Sequence, residues 1–194
     1  SLNLVNMAPM AYHVFLGGAM AQSSDYQFPA GVALRVPPNS ALDLNPHYVN
    51  QTVAEFPGEA YANFYTVDSA QVQRVARTLN LANTSITLPP RQRTTVTRTF
   101  AMSTRTTVFI LTSHMHYHGE KFVIQISGGP RNGEVVYESR DWAHPAMLTL
   151  DQPLTLEVGQ GLTSVVTYNN TTGLAITFGL TSEDEMGIIF GYAY

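Results

Sequence analysis

The run Thr106-Thr107-Val108-Phe109-Ile110-Leu111-Thr112-Ser113-His114-Met115-His116-Tyr117-His118-Gly119 decides the fold class. Its first half is rich in β-branched and aromatic residues, the side chains that suit a pleated, half-buried surface. A strand is predicted over 106–116. Side chains alternate faces along a strand, so His114, His116 and His118 are expected to project to one side. Met115 and Tyr117 then pack on the other. Two imidazoles at i and i+2 can converge on one metal ion. Neutral imidazole suits copper, zinc, iron or nickel, so the pair does not choose the metal. The plain alternative is a set of polar side chains on a solvated strand end.

The same texture extends both ways. Strands are predicted over 12–16, 31–36, 41–49, 60–67, 84–88 and 94–101, and then over 121–127, 134–138, 146–150, 154–158, 163–168, 175–180 and 187–192. Turn signals separate them: Pro37-Pro38-Asn39, Pro89-Pro90, Gly128-Gly129-Pro130, Asn132-Gly133 and Gly159-Gln160-Gly161. Residues 69–79 read as a short helix, with Val72, Val75 and Leu79 in loose helical spacing. Many short strands at regular intervals predict an all-β protein, an antiparallel jelly-roll β-sandwich. Pro57-Gly58 interrupts the pattern. Residues 56–194 are therefore expected to form the jelly roll, and residues 1–55 an incomplete domain too short to fold alone.

Composition excludes several functions. The net charge is −4, the ten Lys and Arg are scattered, and nothing resembles a nucleic-acid footprint. There are no cysteines, so disulfides, Cys-zinc sites and thiol catalysis are out. No apolar run approaches the roughly 20 residues that span a bilayer. Only 12% of residues are charged, about half the usual share. Thr, Ser, Asn and Gln must supply much of the polar surface, and self-association would cover some of it. No Gly-x-Ser-x-Gly, phosphate-cradling Gly loop or His-Glu-x-x-His occurs.

A second chemical clue lies in Gly179-Leu180-Thr181-Ser182-Glu183-Asp184-Glu185-Met186, leading into the last apolar run. A thioether is a soft ligand, and two imidazoles with one methionine suit copper, Cu(I) above all. Most methionines simply fill core gaps, and Met186 taken alone reads that way. Glu183, Asp184 and Glu185 are candidates for hydrogen bonds that orient the imidazoles.

Together, His114-Met115-His116 and the Asp184-Glu185-Met186 segment, with Met186 70 residues after His116, resemble the copper type II, ascorbate-dependent monooxygenases. This is the family of peptidylglycine α-hydroxylating monooxygenase and dopamine β-monooxygenase. A further similarity is Leu44-Asn45-Pro46-His47-Tyr48-Val49-Asn50, so the likeness runs from about Phe28 onward. The resemblance implies that His114, His116 and Met186 hold the oxygen-activating copper and form the catalytic centre. It also makes residues 1–55 the C-terminal part of an incomplete first β-sandwich. His47 would be a ligand of a second, electron-transfer copper, with ascorbate as reductant. His118 lies outside the family pattern, either an extra ligand or a residue at the strand end. His144 is expected to be structural.

The departures are specific. The second copper needs an adjacent His-His pair upstream, and only His13 and His47 precede His114. Thr112, Ile188 and Phe190 occupy the positions where peptide-amidating members carry an Arg, an Asn and a Tyr. The anchor for a substrate carboxylate is therefore missing. Gly187 replaces the Cys that follows the methionine in animal members. Two functions are carried forward. One is an exported (secreted or periplasmic) copper monooxygenase, or its catalytic domain, hydroxylating a C–H bond of an unidentified small-molecule or peptide substrate. The missing pair would then lie in N-terminal sequence preceding Ser1. The other is a non-enzymatic copper-binding or extracellular assembly protein that keeps the fold.

Overall fold

The computed structural model describes residues 14–19, 21–44, 46, 48, 50, 52–55, 57–181 and 183–194. They belong to two compact units. The smaller is Phe28–Val75. It holds one short strand, β1 (Val32–Leu34), and a single 3-10 turn at Ser69–Gln71, whose Ala70 N–H is capped by the Asp68 carboxylate. Gly31 O accepts from both Gln73 and Arg74 N–H.

The larger unit comprises the described residues up to Gln27 together with Ala76–Tyr194. Its strands are β2 (Arg74–Ala82, entering from the smaller unit), β3 (Thr87–Leu88), β4 (Gln92–Ala101), β5 (Thr106–Met115) and β6 (Gly119–Ser127). Then come β7 (Val135–Ser139), β8 (Leu148–Leu156), β9 (Gly161–Asn170), β10 (Ile176–Thr177) and β11 (Gly187–Ala193). One sheet runs β2-β11-β5-β8, a second runs β4-β9-β6-β7, and β3 pairs with β10. All these ladders are antiparallel. The chain is all-β, as predicted, and the two large sheets share one core in the manner of a sandwich. Leu79, Leu111, Met115 and Ile189 meet Phe122, Ile124, Leu162, Val166 and Tyr168 there.

The two outer faces differ. On the second sheet, Thr95 faces Thr167 and Thr99 faces Thr163 with hydroxyls 3.2 and 2.8 Å apart. Paired threonines thus sit on that surface beside the Arg93–Glu120 and Lys121–Glu138 ion pairs. On the first sheet, Phe15, Leu16 and Tyr26 lie over the outer face. Phe15 packs on Phe190 with ring centres 5.4 Å apart. Tyr192 Oη donates to Leu16 O and stands 2.7 Å from Tyr26 Oη. β11 is therefore covered on both sides, which is why Gly187–Ala193 contains no charged or alternating polar residue.

Several expectations require correction. Residues 69–79 are not a helix, since after the 3-10 turn the chain enters β2, and pairing with β11 overrides a weak local preference. The strands expected at 41–49 and 60–67 do not form among the described residues, and neither does one at 14–16. Tyr61 and Tyr65 are 82% and 89% exposed, so β-forming composition there lacks a partner to pack on. The two short strands expected at 146–150 and 154–158 are one, β8, whose pairing with β5 slips at a bulge beside Phe109. Among the described residues no helix is long and apolar enough to cross a membrane.

Asn170, fully buried at the end of β9, secures the corner that leads toward the candidate site. Its amide donates to Leu88 O, Pro89 O and Leu174 O, and its oxygen accepts from Thr172 N–H and Oγ1–H. That clasp fixes β3 and the turn into β10.

Candidate metal centre

Strand β5 points His114 outward because its neighbours Ser113 and Met115 point into the core. In the ladder with β11, Gly187 stands opposite Met115 and Ile188 opposite His114. The ladder ends there, and just beyond it the main-chain N–H groups of Met186 and His116 share one oxygen of the Glu185 carboxylate. The His114 and His116 rings meet edge to face with centres 5.1 Å apart. Phe190 closes the other side of His114, at 6.3 Å. Met186 is 9% exposed. His114 and His116 thus meet at one end of the sheet, and the Met186 backbone lies beside that of His116.

His118 does not continue the alternation. β5 ends at Met115, and residues 116–119 form a turn closed by Gly119 N–H donating to His116 O. The His118 ring lies 3.8 Å from the Tyr117 ring and is 4% exposed, and its Nε2 has no hydrogen-bond partner among the described residues. Met115 packs in the core as expected, but Tyr117 is 48% exposed. His144 is exposed on a loop beside Asp141. His47 and His13 lie outside the described residues. Among the described residues no three His, Asp or Glu side chains gather as a metal site, so the candidate donor set is two imidazoles and a thioether.

The acidic triplet acts in ways that residue type did not reveal. Glu183 is exposed. The Asp184 carboxylate stays within its own loop, accepting from Thr181 N–H and Oγ1–H, while the Asp184 main-chain oxygen lies 2.8 Å from His116 Nδ1. A carbonyl can only accept, so Nδ1 carries the proton and the Nε2 lone pair is left for a ligand-binding role. Glu185 is fully buried, and its carboxylate accepts the main-chain N–H of His116, His118 and Met186. Burial pushes this carboxyl above its ordinary range, and the three N–H donors pull the other way. Tyr168 O–H donates to Met186 O, and burial followed by the Glu185 charge raises its phenol. A side chain at Gly187 would place its Cβ 2.7 Å from Tyr168 Oη, so the glycine and this hydrogen bond go together.

Burial, and after it the neighbouring His116, lower the His114 imidazole from 6.5 to about 4. The unfolded chain therefore takes up this proton before the folded one does. The linked stability is intact above the unfolded value of 6.5 and drains away as pH falls toward 4. For the metal-free protein the loss at pH 4 is about 3 kcal/mol relative to neutral pH. Urea unfolding of wild type and His114→Asn at pH 7 and pH 4 checks this. The wild type should lose about that much more than the variant, and equal losses would remove His114 as the cause.

Compared with protein-family models and with curated proteins, the sequence finds no match.

Proposed function

We propose that this chain is a copper-dependent monooxygenase, or the catalytic domain of one, of the type II ascorbate-dependent kind, with His114, His116 and Met186 as the copper ligands. The observation that carries the proposal is the edge-to-face pair of imidazoles, with Met186 held next to His116 through main-chain N–H groups that share one Glu185 carboxylate oxygen. The donor chemistry fits. His114 stays neutral down to about pH 4, His116 has its Nδ1 committed to Asp184 O, and a thioether beside them favours Cu(I) over hard cations. The strand orders β2-β11-β5-β8 and β4-β9-β6-β7 support a jelly roll as the scaffold.

Copper held there would supply one-electron reduction of dioxygen next to a substrate C–H bond. The chain's own residues set what can approach. β5 and β11 contain no Lys, Arg, Asp or Glu, and Thr112, Ile188 and Phe190 offer no cation to a carboxylate. The substrate is accordingly one that needs no carboxylate anchor on this face. Export to an oxidising, copper-supplied compartment belongs to the same proposal.

Ascorbate-driven oxygen uptake by the copper-reconstituted protein tests it, with His116→Ala as the control for free copper. Uptake by wild type at least tenfold above the variant supports the enzyme. Retention of one copper per chain with no uptake in a panel of uncharged aryl-alkyl substrates points to the second reading, metal binding without turnover. The low charge content, with only 12% of residues charged, favours that second reading.

A further inference from the structure

We propose that Glu185 is the positioning residue of this centre, a buried carboxylate that locks the chain segment carrying His116 to the one carrying Met186. The proposal rests on the metal-site reading above. Its main evidence is independent of any metal.

Glu185 is 0% exposed. One oxygen accepts His116 N–H at 3.0 Å and Met186 N–H at 3.2 Å, and the other accepts His118 N–H at 2.8 Å. His116 and His118 lie where β5 has ended, so their N–H groups have left the ladder while His118 is buried and His116 half-buried. Unpaired buried donors are costly, and so is an unpaired buried carboxylate. Here each remedies the other. The residue is itself held in place, since Glu185 N–H donates to Thr177 O and Gly179 N–H donates to Glu185 O.

The geometry demands a carboxylate of this length. Three N–H donors converge on two acceptor oxygens, and an amide has only one. A glutamine would turn its NH₂ toward at least one main-chain N–H. An aspartate is one methylene too short to reach across. Met186 is then gripped twice, at N–H by Glu185 and at its carbonyl by Tyr168. His116 is likewise held at its backbone by Glu185 and at its ring by Asp184 O. Two ligands distant in sequence thus receive both position and orientation from adjacent residues of one segment, and a ligand set must be held to within about 0.5 Å to work.

Glu185→Gln tests this in two arms. In the metal-free protein, amide exchange at His116 and His118 should accelerate at least tenfold while Ile124 and Leu162 keep their protection. Unchanged exchange at the two histidines would overturn the clamp. In the copper-loaded protein, affinity should fall 10- to 100-fold, the usual cost of losing a group that orients a ligand. The Cu(II) electron paramagnetic resonance spectrum should also broaden as the ligand geometry loosens. An affinity within twofold of wild type, with an unchanged spectrum, would reduce Glu185 to a structural buttress. If wild type itself retains no copper, the metal reading fails and the exchange arm still decides the clamp. Should the variant not fold, trans-hydrogen-bond couplings from the Glu185 carboxylate carbon to the His116 and His118 nitrogens decide it in wild type. Couplings at both nitrogens establish the clamp, and absence at both overturns it.

Discussion

Loss of either histidine is expected to abolish retention of copper through dialysis, whereas Met186→Leu is expected to weaken Cu(I) far more than Cu(II). The two substitutions remove different chemistry. An imidazole nitrogen serves both oxidation states, so His114→Ala and His116→Ala should each cost more than the 10- to 100-fold that follows loss of an orienting partner. A thioether contributes mainly to the soft, reduced ion. Leucine conserves the volume of Met186 at a cost of under about 1.5 kcal/mol, so a large change in Cu(I) affinity would not reflect misfolding. Competition titrations with Cu(I) and Cu(II) chelators at pH 7 read both effects. Equal affinities for Met186→Leu and wild type in both oxidation states would return Met186 to packing alone. His114 needs no proton removed at that pH, so its contribution should persist into mildly acidic buffer.

A large effect on folding is expected at Gly191. It lies in the middle of β11, opposite Leu79 of β2 and Leu111 of β5. A Cβ built there would overlap the Ile110 carbonyl oxygen and press on Leu111 Cα. Ile110 and Leu111 are both fully buried, and their main chain is held in ladders on both sides, so neither can yield cheaply. Gly191→Ala should therefore cost more than about 3 kcal/mol, at or beyond the upper end of overpacking effects. Gly173→Ala is the control, because no atom lies within 4 Å of its added Cβ. That change should be neutral or stabilising by up to about 1 kcal/mol. Urea midpoints for the two variants separate a real backbone approach from a general intolerance of substitution.

Gly191 also illustrates what local sequence can and cannot convey. Runs of β-branched residues marked β4, β5, β6, β9 and β11 correctly, because burial on one or both faces selects such side chains. β2 is not legible locally, since Val72, Val75 and Leu79 carry no clear alternation and its strand state depends on β11, more than a hundred residues away. Conversely, 60–67 has strand-like composition and no strand, as composition alone provides no hydrogen-bonding neighbour. At the centre, the period-two rule placed His114 and His116 on one face. It failed at His118, where a carboxylate from Glu185 stabilises a turn that no residue near His118 announces. The acidic triplet was noticed for its side chains. Yet Asp184 acts through a main-chain carbonyl, and Glu185 through main-chain amides of other segments. Such roles follow from three-dimensional neighbours, which residue type does not encode.

The position of β11 has a consequence for how the protein is made. It is the latest of the described strands in the sequence, yet it sits between β2 and β5. During translation β2 and β5 must wait with two open edges facing a gap the width of one strand, a state that invites pairing with other chains. The second sheet has no such dependence, since β4, β6, β7 and β9 all leave the ribosome before β11. A nascent chain stopped short of Gly187 is thus a half-closed sandwich, and His114 and His116 face an empty slot where Met186 and its strand belong. The candidate donor set is therefore complete only after β11 is made, and on the metal-site proposal copper loading belongs after that step.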